Sequence, residues 1–141
     1  LVGSEMCIRD SNDSHKFESN FVSLEIPKNN SVMFGSLSGT KLGVWVAHGE
    51  GKFEFPYEEK EYNIIAKYNY DGYPANPNGS PWSVAGVCSK DGRHLAMMPH
   101  PERAIFPWQC GYYPADRKEN DEVTPWIEAF VNARKWIENN K

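Results

Sequence analysis

The sequence predicts an α/β domain whose C-terminal half is present and whose N-terminal half is absent, and three observations carry this. Five short stretches have strand character, helical period appears clearly once, at the C-terminal end, and no helices stand between the strands to cover their faces. Strands followed by one helix also describe an α+β domain. Strands of buried type without covering helices are what the back half of an α/β sheet leaves, and that is the expectation adopted.

Residues 21–26 alternate apolar and polar side chains and stop at Pro27, so they read as a half-buried strand. Residues 42–47 are a nearly continuous apolar run, expected to be a strand buried on both faces, and end at His48-Gly49-Glu50-Gly51, whose glycines free the backbone to turn. Residues 64–70 form a third strand, stopped by Asp71-Gly72. After a loop rich in Pro and Asn, residues 84–88 and 93–98 make a hairpin with Asp91-Gly92 in its turn. Residues 103–123 have no period and carry Pro107, Gly111 and Pro114, a long loop of the kind that is functional or mobile. In the closing helix Trp126, Phe130, Ala133 and Ile137 share a face, Ile127 and Val131 widen it, Thr124 is placed to cap it and Pro125 sits at its first position.

The first eleven residues fit neither a strand nor a helix, and they lack the basic start and apolar core of a signal peptide. Residues 5–11 resemble a translated adaptor sequence from library preparation. Residues 1–11 are therefore expected to be non-native, Cys7 is set aside with them, and the natural chain is expected to begin upstream of Asn12. Residues 12–141 are expected to be one partial domain.

A chain of 141 residues is of single-domain length. A domain of this size buries roughly 70% of its unfolded surface, enough for a core without disulfides or metal. With 40% hydrophobic and 24% charged residues it is neither a disordered tail nor a coiled coil. Fifteen Lys and Arg against nineteen Asp and Glu give a net charge of −4, and no basic cluster marks a nucleic-acid face. No apolar run approaches the ~18 residues of a membrane span. Cys7, Cys88 and Cys110 show no C-x-x-C spacing, which argues against a disulfide framework or zinc knuckle and for a reducing compartment, by default the cytoplasm.

The strongest chemical signal is Pro99-His100-Pro101-Glu102. Each proline pushes the residue before it toward an extended backbone, and in an extended segment residues two apart face the same way. His100 and Glu102 are thus expected to point together, an imidazole held in one tautomer by a carboxylate, which is two parts of a three-part catalytic triad. His48 and Glu50 repeat the spacing without the stiffening prolines, in a loop whose main chain can approach a ligand closely. An alternative joins His48, Glu50, His100 and Glu102 into a metal site of a hydrolase, although no H-E-x-x-H or helical ligand spacing is present.

Val46-Ala47-His48-Gly49-Glu50-Gly51, Asn76-Pro77-Asn78-Gly79-Ser80 and Met97-Met98-Pro99-His100-Pro101-Glu102-Arg103, in this order, resemble the C-terminal glutaminase domain of the phosphoribosylformylglycinamidine synthases, which are triad (class I) glutamine amidotransferases. Asn12-x-Ser14-x-x-Phe17-Glu18 resembles the segment leading into that region, and Trp45 and the closing helix look more like the large single-chain synthase than the separate small glutaminase subunit, the alternative form. The resemblance implies a flavodoxin-like α/β domain in which a cysteine attacks the side-chain amide of glutamine. It makes His100 the general base and acid, Glu102 its orienting partner, and His48, Gly49 and Glu50 a loop that helps hold glutamine or shapes its pocket, where the residues alone equally allow a glycine turn with a hydrogen-bonded histidine. It implies no metal ligand and no cofactor in this chain; ATP and magnesium belong to the synthetase region of the same polypeptide, which consumes the ammonia. The Asn76–Ser80 stretch reads as a plain tight loop, as a brace for the active-site strands or as a contact with the synthetase portion. The family's nucleophile is expected upstream of Asn12. Cys88 lies in a hairpin arm and Cys110 in an irregular loop, neither having the strand-to-helix turn that exposes a nucleophile. The chain by itself is accordingly expected to be inactive.

Overall fold

Alternating side chains pair the first long strands, and that pairing organises the rest. The computed structural model of the chain describes residues 8–140. In chain order it contains β1 (Ile8–Asp10), β2 (Glu18–Glu25), β3 (Lys41–His48), β4 (Lys52–Glu54), β5 (Asn63–Tyr68), β6 (Val84–Cys88), β7 (Leu95–Met97), α1 (Ala115–Lys118) and α2 (Ile127–Asn139). It is an α/β structure with few helices, built on a five-stranded sheet of order β3-β2-β5-β6-β7, with β1 and β4 as a separate pair. Every pairing is antiparallel.

The five strands expected from the sequence are all present, displaced by up to three residues at their ends. The hairpin forms in the expected register, Cys88 opposite Leu95 and Gly86 opposite Met97, with the Ser89 N–H donating to the His94 carbonyl at 2.8 Å. Residues 1–7, Cys7 among them, lie outside the described residues. Ile8–Asp10, to which the sequence assigned no element, pairs with Lys52–Glu54.

β3 corrects one expectation. Its burial alternates instead of being complete: Val44, Val46 and His48 face the core, while Gly43, Trp45 and Ala47 are half-buried on the outer face. The outer face is covered by one aromatic contact, Trp45 standing edge-on to Phe21 at 5.0 Å between centroids, and by the 103–123 segment, whose Gln109 carbonyl accepts the Trp45 indole N–H at 2.7 Å. The inner face packs Val22, Leu24, Val44, Val46 and Ile65 against Phe34, Leu37, Trp126 and Ala129, all nearly or fully buried, and this is the main core.

The sheet curls until its two edges meet. β7 and β3 are opposite edges, yet just beyond β7 the Met98 N–H donates to the Ala85 carbonyl at 3.1 Å and the His100 N–H donates to the Trp45 carbonyl of β3 at 2.8 Å. The Gly43 carbonyl on the same edge accepts the Trp126 indole N–H at 2.8 Å. Two edge carbonyls are thereby satisfied internally, which removes part of a template for unwanted strand pairing.

The closing helix is present, with its buried face rotated from the one expected. Trp126 and Ala129 are buried, Ala133 and Trp136 half-buried, and Phe130, Val131 and Ile137 exposed at 39%, 39% and 55%. The large Trp126 ring, edge-on to Phe34 at 5.8 Å, fixes the rotation, and the Asn132 amide donates to the Met33 carbonyl at 3.1 Å on the same side. The Thr124 hydroxyl accepts the Trp126 N–H at 3.3 Å and donates to the Ala104 carbonyl at 2.5 Å, so it caps the turn entering the helix as the sequence suggested.

Candidate active site

His100 reaches its position through the sheet's curl and meets Glu102 through a tight turn. Its backbone is close to extended, at φ −110° and ψ 84°, but Pro101–Arg103 forms a 3-10 turn with Pro101 in first position. The two side chains come together as expected, Nδ1 of His100 lying 2.8 Å from Oε1 of Glu102. Their route differs from the one the sequence suggested: the turn swings Glu102 back toward the ring, where continued extension would have carried it onward. Among the described residues Nε2 of His100 has no hydrogen-bond partner, which leaves that nitrogen as the one able to exchange a proton with a ligand. Glu102 also lies 3.8 Å from Nε of Arg103.

His48 comes to the same place from the other sheet edge. It ends β3 in phase with Val44 and Val46, so its side chain falls on the inner face and is only 7% exposed. Gly51 follows closely: a Cβ there would stand 2.4 Å from the His48 ring, so only glycine lets the chain turn back so near it. His48, Gly49, Glu50, Met97, Met98 and His100, with Ala47, line one open cleft of about 580 Å³. The structure thus brings His100 and the 48–51 loop together around one space, with Glu102 behind His100.

The loop is held from beneath by a buried polar network. Asn12 donates its side-chain amide to the carbonyls of Lys16 (2.8 Å) and His48 (2.7 Å), accepts the Gly51 N–H at 3.1 Å, and donates its own backbone N–H to the Gly49 carbonyl at 3.0 Å. Asn78 donates to the Gly51 carbonyl at 2.7 Å and to the Tyr68 hydroxyl at 3.0 Å, and accepts from the N–H and hydroxyl of Ser80. Burial pushes the Tyr68 phenol well above its ordinary range and keeps it neutral. Gly79, at φ +79°, lets the 76–80 stretch pass against Asp13, whose carboxylate pairs with Lys52 at 2.8 Å. The 76–80 stretch is thus a turn that is also bonded, through Asn78, to the 48–51 loop. The sequence placed Asn12 only in the segment leading into the domain; its grip on the 48–51 loop carries no local signal, since it is a lone polar residue outside any periodic segment.

No cysteine lines the cleft among the described residues. Cys88 is buried and Cys110 half-buried, and burial raises both thiols, the reverse of what activates a nucleophile. Among the described residues no group of three or more His, Cys, Asp or Glu is arranged to hold a metal ion, so His48, Glu50, His100 and Glu102 do not form the alternative metal site. No described helix is long and apolar enough to cross a membrane.

A model of the CobB/CobQ-like glutamine amidotransferase domain matches residues 5–137. The chain belongs to the CobB/CobQ-like glutamine amidotransferase family. Within that family it is similar to the protein named probable phosphoribosylformylglycinamidine synthase, chloroplastic/mitochondrial, of Arabidopsis thaliana, at 43% identity over 91% of this chain. It is also similar to the phosphoribosylformylglycinamidine synthases of Drosophila melanogaster, at 42% identity over 89% of this chain, and of Homo sapiens, at 42% identity over 89%. The chain spans about 10% of the length of each of these relatives. A chain of the PurLQS structure from Thermotoga maritima has the same fold, with a TM-score of 0.72 at 24% identity, over 96% of this chain and 55% of that one. The amidotransferase fold is therefore the setting in which the His100–Glu102 pair and the 48–51 loop stand.

Proposed function

We propose that the chain is part of the glutaminase domain of a phosphoribosylformylglycinamidine synthase, the part that carries the base and the substrate loop. The observation that carries this is the 2.8 Å contact between His100 and Glu102 in the wall of a cleft shared with His48, Gly49 and Glu50. In this reading a thiolate from a part of the polypeptide outside this sequence attacks the side-chain amide carbon of glutamine. His100, carrying the thiol's proton on Nε2, hands it to the departing nitrogen, so that ammonia leaves and a glutamyl thioester remains. Water then attacks the thioester, its proton passing through His100 to the sulfur, and glutamate departs. Glu102 accepts the Nδ1–H, fixes the tautomer and stabilises the imidazolium that forms in between. His48, Gly49 and Glu50 receive the glutamine.

The ammonia serves the conversion of formylglycinamide ribonucleotide to formylglycinamidine ribonucleotide in purine biosynthesis. That step takes place in a synthetase region of the same polypeptide and uses ATP and magnesium, neither of which this chain binds. The tenfold greater length of the related synthases supports the large single-chain form over a separate small subunit. We read residues 12–141 as the amidotransferase part; among the side chains the structure describes, Asn12, fully buried, is the first to join the loop network. The free thiols of Cys88 and Cys110 support a reducing compartment, and we place the protein in the cytoplasm.

In the intact synthase, His100→Ala is expected to abolish synthesis from glutamine and to leave turnover with free ammonia largely unchanged. Equal loss with both nitrogen donors would contradict the role.

A further inference from the structure

Asn12 and Asn78 have no place in the chemistry above, yet both are fully buried and between them they grip the 48–51 loop by its main chain. The loop's groups are taken on both sides of Glu50: the His48 and Gly49 carbonyls before it by Asn12, and the Gly51 N–H and carbonyl after it by Asn12 and Asn78. An amide suits this because one rigid plane both donates and accepts, which neither a carboxylate nor a hydroxyl of that reach reproduces. Asn78 is saturated, with two donors and two acceptor contacts all in use, and its partners Tyr68 and Ser80 are themselves buried.

A loop with two glycines has wide backbone freedom, and a ligand that must first order it loses affinity by that amount. Four main-chain hydrogen bonds made in advance remove the loss. We propose that Asn12 and Asn78 are positioning residues for glutamine, holding the 48–51 loop in its binding shape before the substrate arrives. This rests on the assignment of that loop to glutamine. The two asparagines touch no reacting atom, so they act on the affinity for glutamine and leave the proton transfers of His100 alone.

The test is made on the intact synthase with Asn12→Asp, Asn78→Asp and, as the milder variant, Tyr68→Phe, which removes one acceptor of the Asn78 amide while keeping the ring in the core. Each asparagine variant is expected to raise the glutamine KM by roughly tenfold or more with kcat within about threefold, while ammonia-dependent turnover stays at the parent rate. Tyr68→Phe is expected to move the glutamine KM in the same direction by less. An unchanged glutamine KM, or a parallel fall with glutamine and ammonia, overturns the positioning role; if the asparagine variants do not fold, Tyr68→Phe alone decides in the same way. His100→Ala run alongside separates the two levels. If it splits the nitrogen donors while the network variants leave KM unmoved, the positioning role falls and the glutaminase reading stands; if it fails to split them, both fall.

Discussion

One short contact sets the chemistry at the scale of the residue. With Nδ1 of His100 at 2.8 Å from the Glu102 carboxylate, Nε2 is the nitrogen to which the proposed mechanism assigns the proton transfers. Replacing the carboxylate by an amide keeps the shape and loses both the tautomer preference and the stabilised imidazolium. Glu102→Gln in the intact synthase is expected to lower kcat with glutamine by roughly 10²- to 10⁴-fold, on the scale of such changes in hydrolase triads. The glutamine KM and the ammonia-dependent rate should be little altered, and steady-state kinetics with both donors checks it. The pair itself was legible in Pro99-His100-Pro101-Glu102, because two prolines and a two-residue spacing restrict where the side chains go. The 3-10 turn that joins them was not, because extension before a proline says nothing of the conformation after it. His48 was legible as a loop residue; that it lies buried on the inner face follows from its phase with Val44 and Val46 once β3 runs to residue 48.

Elements were readable where the pattern was dense and unreadable where tertiary contacts do the work. The Asp91-Gly92 hairpin appears as expected, since its turn chemistry is local. The 103–123 segment shows no period, yet it is ordered by single contacts: the Trp45 indole bound at Gln109, the Pro107–Gln109 turn, and α1, where the Arg117 guanidinium pairs with Asp121 at 2.8 Å. Tyr113 donates its hydroxyl to Asp121 at 2.6 Å, and burial together with that bond pushes the phenol from its ordinary 10.0 up to about 12. A folded-state value above the unfolded one means that the protonated phenol favours the folded segment. Its contribution is complete below pH 10 and is lost as pH rises from 10 toward about 12. Hydrogen exchange of the 112–121 amides is expected to rise across that window in the parent protein, and Tyr113→Phe should flatten the rise. An equal rise in both proteins would remove Tyr113 as its cause. The rotation of α2 belongs here too: the periodic stripe marked a docking helix correctly, but Trp126 at its entry, by volume and by its indole bond to Gly43, decided which side docks.

The whole molecule depends on closure. Its order β3-β2-β5-β6-β7 becomes a site only because the chain after β7 returns to β3, which sets the Met97–His100 end of one edge against the His48–Gly51 end of the other. The surface beyond the cleft keeps several large apolar side chains exposed, Trp108 at 73% and Tyr112 at 74% among them, as well as Phe130 and Ile137 of α2. The chain expressed alone is expected to self-associate in sedimentation and to release no ammonia from glutamine, since among the described residues no thiol faces the His100 cleft. A monomer with a high, cooperative melting transition, or measurable glutaminase activity in the chain alone, would contradict this.

The amino-acid order by itself determined the five strands, the hairpin, the closing helix and the pairing of His100 with Glu102, because alternation, turn formers and prolines act over a few neighbouring residues. Only the tertiary structure decided that Asn12 and Asn78 grip the same loop and that two sheet edges meet at His100, because these are hydrogen bonds between residues far apart in the chain. Local preference has no means of encoding such pairs one at a time; they form when burial of the inner face of the sheet forces its edges together and leaves each polar group there to find a partner.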